Sequence, residues 1–185
     1  MPTSAALCRW ALEKVLRFRL EERVEKPRKF VVALAPHTSN WDFLIGILAS
    51  YASGFPCNFI MKREWFFWPL GLLMRRLGGI PVRRDRHCNL VRQLAEVARR
   101  SDTFALCITP EGTRKRRTRW KTGFYYIALE ADLPVLLYGL DYSRRLISCT
   151  KMMRPTGDID NEMREIKQYF SDFRAKHPNK FATGL

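Results

Sequence analysis

The sequence is short of histidine, of acidic residues and of long apolar runs, and each shortage excludes a class of protein. Only three of its 185 residues are histidine. They do not cluster with Cys8, Cys57, Cys88, Cys107 and Cys149 at metal-ligand spacing, and no C-x-x-C pair occurs. Neither a metal site nor a dithiol redox site is therefore expected. Five scattered cysteines suit reduced thiols in a cytosolic compartment better than a disulfide framework. The longest uninterrupted apolar run, Trp65–Met74, falls well short of the ~20 residues that span a bilayer. Ala5–Cys8 is too short for the core of a signal peptide, and Arg9 interrupts it. The expectation is a cytoplasmic chain with no secretory leader and no transmembrane span. Internal repeats, low-complexity tracts and linker-like stretches are also missing, as is a G-x-S-x-G nucleophile elbow.

What is present is a hydrophobic share of 46%, enough for a sizeable core in one domain. The 18 acidic residues face 33 basic ones, a formal charge of +15. Such a surplus implies an anionic partner: a nucleic acid, a membrane surface or a phosphorylated substrate. Charge alone does not choose among them.

Apolar periodicity places an amphipathic helix over residues 5–20, with Leu7, Trp10, Ala11, Val15 and Phe18 on one face. Strand candidates then follow at 30–35, 57–62, 79–83, 103–108, 133–139 and 146–151. Helix candidates fall at 40–52, 64–77, 87–100, 122–131 and 159–176. The alternation argues for an α/β layered fold, a single domain with a largely parallel central sheet flanked by helices. In such sheets ligands bind beyond the carboxyl ends of the strands.

Three stretches carry chemistry at those ends. In "VVALAPHTSNWDF" (31–43), Pro36 ends a strand and Thr38, Ser39 and Asn40 are N-cap candidates for the next helix. His37 then falls in the turn and Asp42 in the first helical turn. On one continuous helix, residues five apart would diverge at about 100° per residue. With His37 in the turn, the chain can fold back and bring the two together. A plainer reading is a surface histidine and an aspartate favoured by the helix dipole. In "ITPEGTRKRRTRWKTGF" (108–124), Pro110 and Gly112 make a turn that holds Glu111. Thr113, Arg114 and Lys121 supply the hydroxyl and cations that grip a phosphate monoester; the same run also reads as a solvated or nucleic-acid-binding basic patch. "GGIPVRRDR" (78–86) ends a strand in Arg83, Arg84 and Arg86.

In this order the blocks resemble the glycerolipid acyltransferase family, the group of 1-acylglycerol-3-phosphate acyltransferases. The family's H-x-x-x-x-D matches His37 to Asp42, its G-x-I-x-V-x-R matches Gly78 to Arg84, and its P-E-G-T-R core matches Pro110 to Arg114. Lys121-Thr122-Gly123 and Leu133-Pro134-Val135 resemble the later elements. Thr109 stands where the family often has Phe, and Leu137 where it often has a second proline. Both positions bear on the shape of the acceptor pocket. The order of His/Asp and Pro-Glu-Gly-Thr-Arg blocks is specific; H-x-x-x-x-D alone is not.

The resemblance implies a single acyltransferase domain over residues 1–185, with 1–28 as lead-in and 30–140 as the motif-bearing core. It implies transfer of a fatty acyl group from acyl-CoA or acyl carrier protein, as co-substrate, to the free hydroxyl of a lysophosphatidate-like acceptor. No cofactor or metal is expected. His37 would be the general base and Asp42 its orienting partner, accepting from the other ring nitrogen. Arg84, Glu111, Gly112, Thr113, Arg114 and Lys121 would hold the acceptor and its phosphate. With no serine elbow, direct attack by the acceptor hydroxyl is expected rather than an acyl-enzyme. Both substrates are greasy, so an anionic membrane surface is an expected partner, met peripherally from the cytoplasmic side. "KREWFFWPLGLLMRR" (62–76) has the aromatics and cations of an interfacial helix, or else those of a core helix. Another lysolipid or polar acceptor is the nearest alternative. A basic nucleic-acid-binding protein would explain the charge but leaves His37 and Asp42 idle, and no nucleic-acid signature is present, so no nucleic acid is expected as a partner.

Overall fold

A computed structural model describes residues 4–82 and 87–185 of the chain. Its elements in chain order are α1 (Ser4–Trp10), β1 (Arg19–Glu22), β2 (Lys29–Ala35), α2 (Asn40–Ala52), β3 (Asn58–Lys62), α3 (Leu70–Arg76) and β4 (Gly79–Val82). There follow α4 (His87–Arg100), β5 (Phe104–Ile108), α5 (Gly123–Ala131), β6 (Val135–Asp141), β7 (Leu146–Met153) and α6 (Ile159–Ser171). Among the described residues the strands form one seven-stranded sheet, ordered β1-β7-β6-β2-β5-β3-β4. All neighbours pair in parallel except β6 and β7. The fold is the expected single α/β domain with a mostly parallel sheet.

The centre of that sheet is apolar on both faces, as strands covered on both sides must be. Along β2, Val31, Ala33 and Ala35 pack with Leu94 and Ala98 of α4, Phe124, Ile127 and Ala128 of α5, and Met163, Ile166 and Phe170 of α6. The alternate residues Phe30, Val32 and Leu34 pack with Leu12, Phe18, and Ile45 and Ala49 of α2. Each such large side chain contributes about 1.5–3 kcal/mol by leaving water. The period-2 alternation thus sorts β2 into two cores and fixes its register.

Two expected helices are remade. The helix foreseen over 5–20 ends at Trp10 and continues as one wide π turn, Ala11–Val15. Leu16 N–H donates to Ala11 O and Phe18 N–H to Leu12 O, so the periodicity slips. Leu7, Trp10 and Val15 of the expected stripe are exposed while Phe18 is buried, together with Leu12, which lies outside that stripe. Arg17 adopts a left-handed φ of 59° and turns the chain into β1. The helix foreseen over 64–77 is broken in the same way, into a 3₁₀ turn, Arg63–Trp65, and α3. Pro69, which has no N–H to give, separates them. Trp65, Phe67, Trp68, Leu72 and Leu73 are exposed, with Trp68 86% accessible, so this is not a core helix.

Candidate active site

The chain leaves β2 toward α2, on one face of the sheet, and leaves β5 toward α5, on the other. β2 and β5 are parallel neighbours, with Ala33 opposite Ile108. Their outgoing loops therefore part to either side of a crevice at the carboxyl ends, the place where such sheets bind ligands. His37 lies in the first loop and Glu111–Arg114 in the second. β6, the neighbour of β2 on its other side, delivers Tyr142 to the same edge, with Ala35 opposite Gly139.

Asp42 is completely buried. Ser39 is the N-cap of α2, its hydroxyl accepting from Trp41 N–H, and Asp42 closes the capping box from the third helical position. Asp42 Oδ2 accepts from the main-chain N–H groups of Thr38 at 2.6 Å and Ser39 at 2.7 Å. Its Oδ1 accepts from the Tyr142 hydroxyl at 2.6 Å. His37 Nδ1 stands 3.7 Å from Asp42 Oδ2, ion-pair distance but longer than a hydrogen bond. Among the described residues, His37 Nδ1 has no hydrogen-bond partner. The carboxylate thus acts on the imidazole through its charge, while its hydrogen bonds hold the turn. Burial lowers the His37 pKa below its ordinary 6.5, and Arg114 lowers it too; Asp42 pulls the other way and does not prevail.

Glu111, 1% exposed, reaches back across the crevice: its Oε1 accepts from His37 N–H at 2.6 Å. Its Oε2 is buried without a hydrogen-bond partner among the described residues. Burial raises its pKa to about 8; the His37 N–H partly offsets this, and the charge of Asp42 adds to it. A neutral carboxyl is the form this pocket favours. Gly112 has a left-handed φ of 64°, and a Cβ there would come within 2.8 Å of Lys121 Cδ. Lys121 is further tied to the loop by its N–H, which donates to Pro110 O at 2.7 Å. Thr113 Oγ1 accepts from Lys115 N–H, and Arg114 is exposed beside the imidazole it repels. Five of the six expected acceptor-binding residues thus lie on one loop. Arg84 lies outside the described residues.

The residues beyond β6 were not foreseen, and they brace the site. Buried Asp141 accepts from Ser143 Oγ, Arg144 N and Nε, and Arg174 N. Burial alone would raise its pKa, but these hydrogen bonds hold it below the usual aspartate value. After α6 the chain leaves the helix, where a helix to 176 was expected, and straps the crevice edge. Tyr142 N–H donates to Arg174 O, His177 N–H to Thr38 Oγ1, and Trp120 Nε1 to Ala182 O. The Lys176 ammonium stands 4.9 Å from the Trp41 ring centroid and 5.9 Å from that of Tyr142. Gly139 is glycine because Phe173 lies against it: a Cβ would come within 2.0 Å of that ring. The cue in the sequence is modest, a tyrosine just past the carboxyl end of a strand that is apolar up to its final Asp141.

Among the described thiols, burial disfavours the thiolate form at three positions. Burial raises the pKa of Cys57 and of Cys149 to about 12, and pushes that of Cys107 higher still.

A model of the acyltransferase family matches residues 15–137 of the chain. Among solved structures, the chain is similar to PlsC from Thermotoga maritima, a 1-acyl-sn-glycerophosphate (LPA) acyltransferase, with a TM-score of 0.64 and 20% identity. That match covers 91% of this chain and 76% of the other, and at such identity it speaks for the fold. No curated protein sequence matches. His37, Asp42 and the Glu111–Lys121 loop fall inside the family match, whereas Tyr142 and the strap fall outside it. The chain belongs to the acyltransferase family.

Proposed function

We propose that the protein transfers a fatty acyl group from acyl-CoA or acyl carrier protein to the free hydroxyl of a lysophosphatidate-like acceptor. The observation that carries this reading is the His37–Glu111 hydrogen bond. It joins the turn that carries the imidazole to a loop rich in phosphate-binding groups, as a phosphorylated alcohol acceptor requires. With Nδ1 turned toward Asp42, Nε2 is left for the substrate. As the acceptor oxygen bonds to the thioester carbon, its proton passes to His37 Nε2, and Asp42 stabilises the resulting imidazolium. The tetrahedral oxyanion then collapses, the C–S bond breaks, and the imidazolium gives its proton to the leaving thiolate. The acceptor hydroxyl is the nucleophile, and no acyl-enzyme forms. Thr113, Arg114 and Lys121 bind the acceptor phosphate, together with Arg84.

The reaction takes place at an anionic membrane surface on its cytoplasmic side. No helix among the described residues is long and apolar enough to cross a membrane. Exposed Trp65, Phe67 and Trp68 lie in one segment with exposed Lys62, Arg63, Arg75 and Arg76, the pairing of aromatic insertion with cationic attraction that interfacial segments use.

The test is to incubate the purified protein with a mixture of lysolipids and acyl thioesters and identify products by mass. Phosphatidate as the main product supports the reading. Acylation of a lysolipid lacking a phosphate monoester, in preference to lysophosphatidate, replaces the acceptor.

A further inference from the structure

We propose that Tyr142 is a positioning residue for the His37–Asp42 pair, its hydroxyl holding the buried carboxylate so that Oδ2 faces the imidazole. Asp42 is fully buried, and a buried carboxylate needs hydrogen-bond donors on both oxygens. Oδ2 receives Thr38 and Ser39 from its own turn. Oδ1 receives the Tyr142 hydroxyl, which comes from the far side of β2 and is 100 residues away in sequence. The two main-chain donors hold only Oδ2; the tyrosine, holding Oδ1, completes the constraint on the angle about the Cβ–Cγ bond.

Tyr142 is itself held on three sides. Its ring meets Phe18 edge-on, with centroids 5.2 Å apart at 82°. Its N–H donates to Arg174 O at 2.8 Å, and buried Asp141 precedes it, bound to Ser143, Arg144 and Arg174. Burial and the hydrogen bond to Asp42 both push the Tyr142 pKa up, so the phenol keeps its proton and stays a donor. The groups that act on His37 are Asp42 from α2, Arg114 from the loop after β5, and Glu111 through the main chain. Asp42 faces Tyr142 in turn, and the Lys176 ammonium lies beyond the tyrosine ring.

The activity arm of the test rests on the proposed acyl transfer, but the titration arm does not. In the titration arm, the His37 imidazole is followed by NMR in wild type and Tyr142→Phe, its signal assigned from the loss seen in His37→Gln. Without the phenol the carboxylate loses one of its three donors and is freer to turn Oδ2 away from Nδ1, so its pull on the imidazole weakens and the midpoint falls by about half a pH unit. Fluorotyrosine placed at position 142, which keeps the donor and the packing, leaves the midpoint near the wild-type value. An unmoved or raised midpoint in folded Tyr142→Phe, or an equal fall with fluorotyrosine, overturns the proposal.

In the activity arm, Tyr142→Phe lowers kcat about tenfold with little change in acceptor KM, and adds almost nothing to the loss in Asp42→Asn. Independent, additive losses overturn it. A wild-type protein that titrates as described yet acylates no lysolipid contradicts the functional reading and leaves the tyrosine's role standing.

Discussion

The main-chain N–H of His37 donates to Oε1 of Glu111, a residue 74 positions away, at 2.6 Å. This hydrogen bond fixes the turn after β2 against the loop after β5. It also requires a carboxyl group to be buried at the crevice, and its neutral form is favoured because burial outweighs the single donor.

That burial has a sign that stability measurements read. Folding raises the Glu111 pKa from 4.5 to about 8, so between these values the folded protein binds a proton that the unfolded chain has released. The contribution is complete below 4.5 and is lost as pH rises to about 8. Glu111→Gln keeps the acceptor for His37 N–H and carries no charge. Urea midpoints of the two proteins between pH 5 and 9 should diverge, wild type weakening relative to the variant as pH rises. Parallel curves would show that Glu111 is ionised in the folded state.

Gly112→Ala joins two penalties, a left-handed φ of 64° and a Cβ only 2.8 Å from Lys121 Cδ. The first costs about 1 kcal/mol; the second displaces the lysine from the loop. We expect a modest loss of stability and a several-fold rise in acceptor KM, with the acyl-donor KM nearly unchanged. A rise confined to the donor KM would move Lys121 to the other substrate.

Sedimentation with anionic vesicles tests the exposed aromatic segment. Binding should fall with salt, and Trp65→Ser, Phe67→Ser and Trp68→Ser together should weaken it several-fold without altering the melting temperature. Phe66 is the wrong choice for this experiment, because it is partly buried with the Arg75 guanidinium over its ring. Undiminished binding by the triple variant would place the membrane contact elsewhere. If double-stranded DNA displaced the vesicles at physiological salt, the charge would serve a nucleic acid instead.

How far the molecule was legible in advance follows the distance over which each feature is determined. The capping box and apolar spacing of 40–52 are local, and α2 occupies those residues. β2, β5 and β6 announce themselves as apolar runs because both faces are covered. β1 does not: Arg19–Glu22 is polar, gains its strand form by pairing with Leu146–Cys149, and looked like the continuation of a helix. The N-terminal stripe is split for a related reason, since the π turn rotates the residues after it and so sets buried Phe18 apart from exposed Leu7 and Trp10. Within the site, His37, Asp42 and the Glu111–Arg114 loop form contiguous motifs. Tyr142 and the strap around His177 reach Asp42 and Thr38 only through the sheet's topology, which no local pattern encodes.

In the proposed reaction a neutral His37 imidazole takes the proton of the acceptor hydroxyl. Burial and Arg114 hold its pKa below 6.5 against the pull of Asp42, so the base is free at neutral pH and activity should fall only as pH drops through a midpoint below that value. The most direct measurement is the rate of phosphatidate formation from lysophosphatidate and an acyl thioester, by wild type and by His37→Ala shown to be folded by circular dichroism. The variant should lose about 10²–10⁴-fold or more in kcat at pH 7. A folded His37→Ala protein turning over within a few-fold of wild type would contradict it.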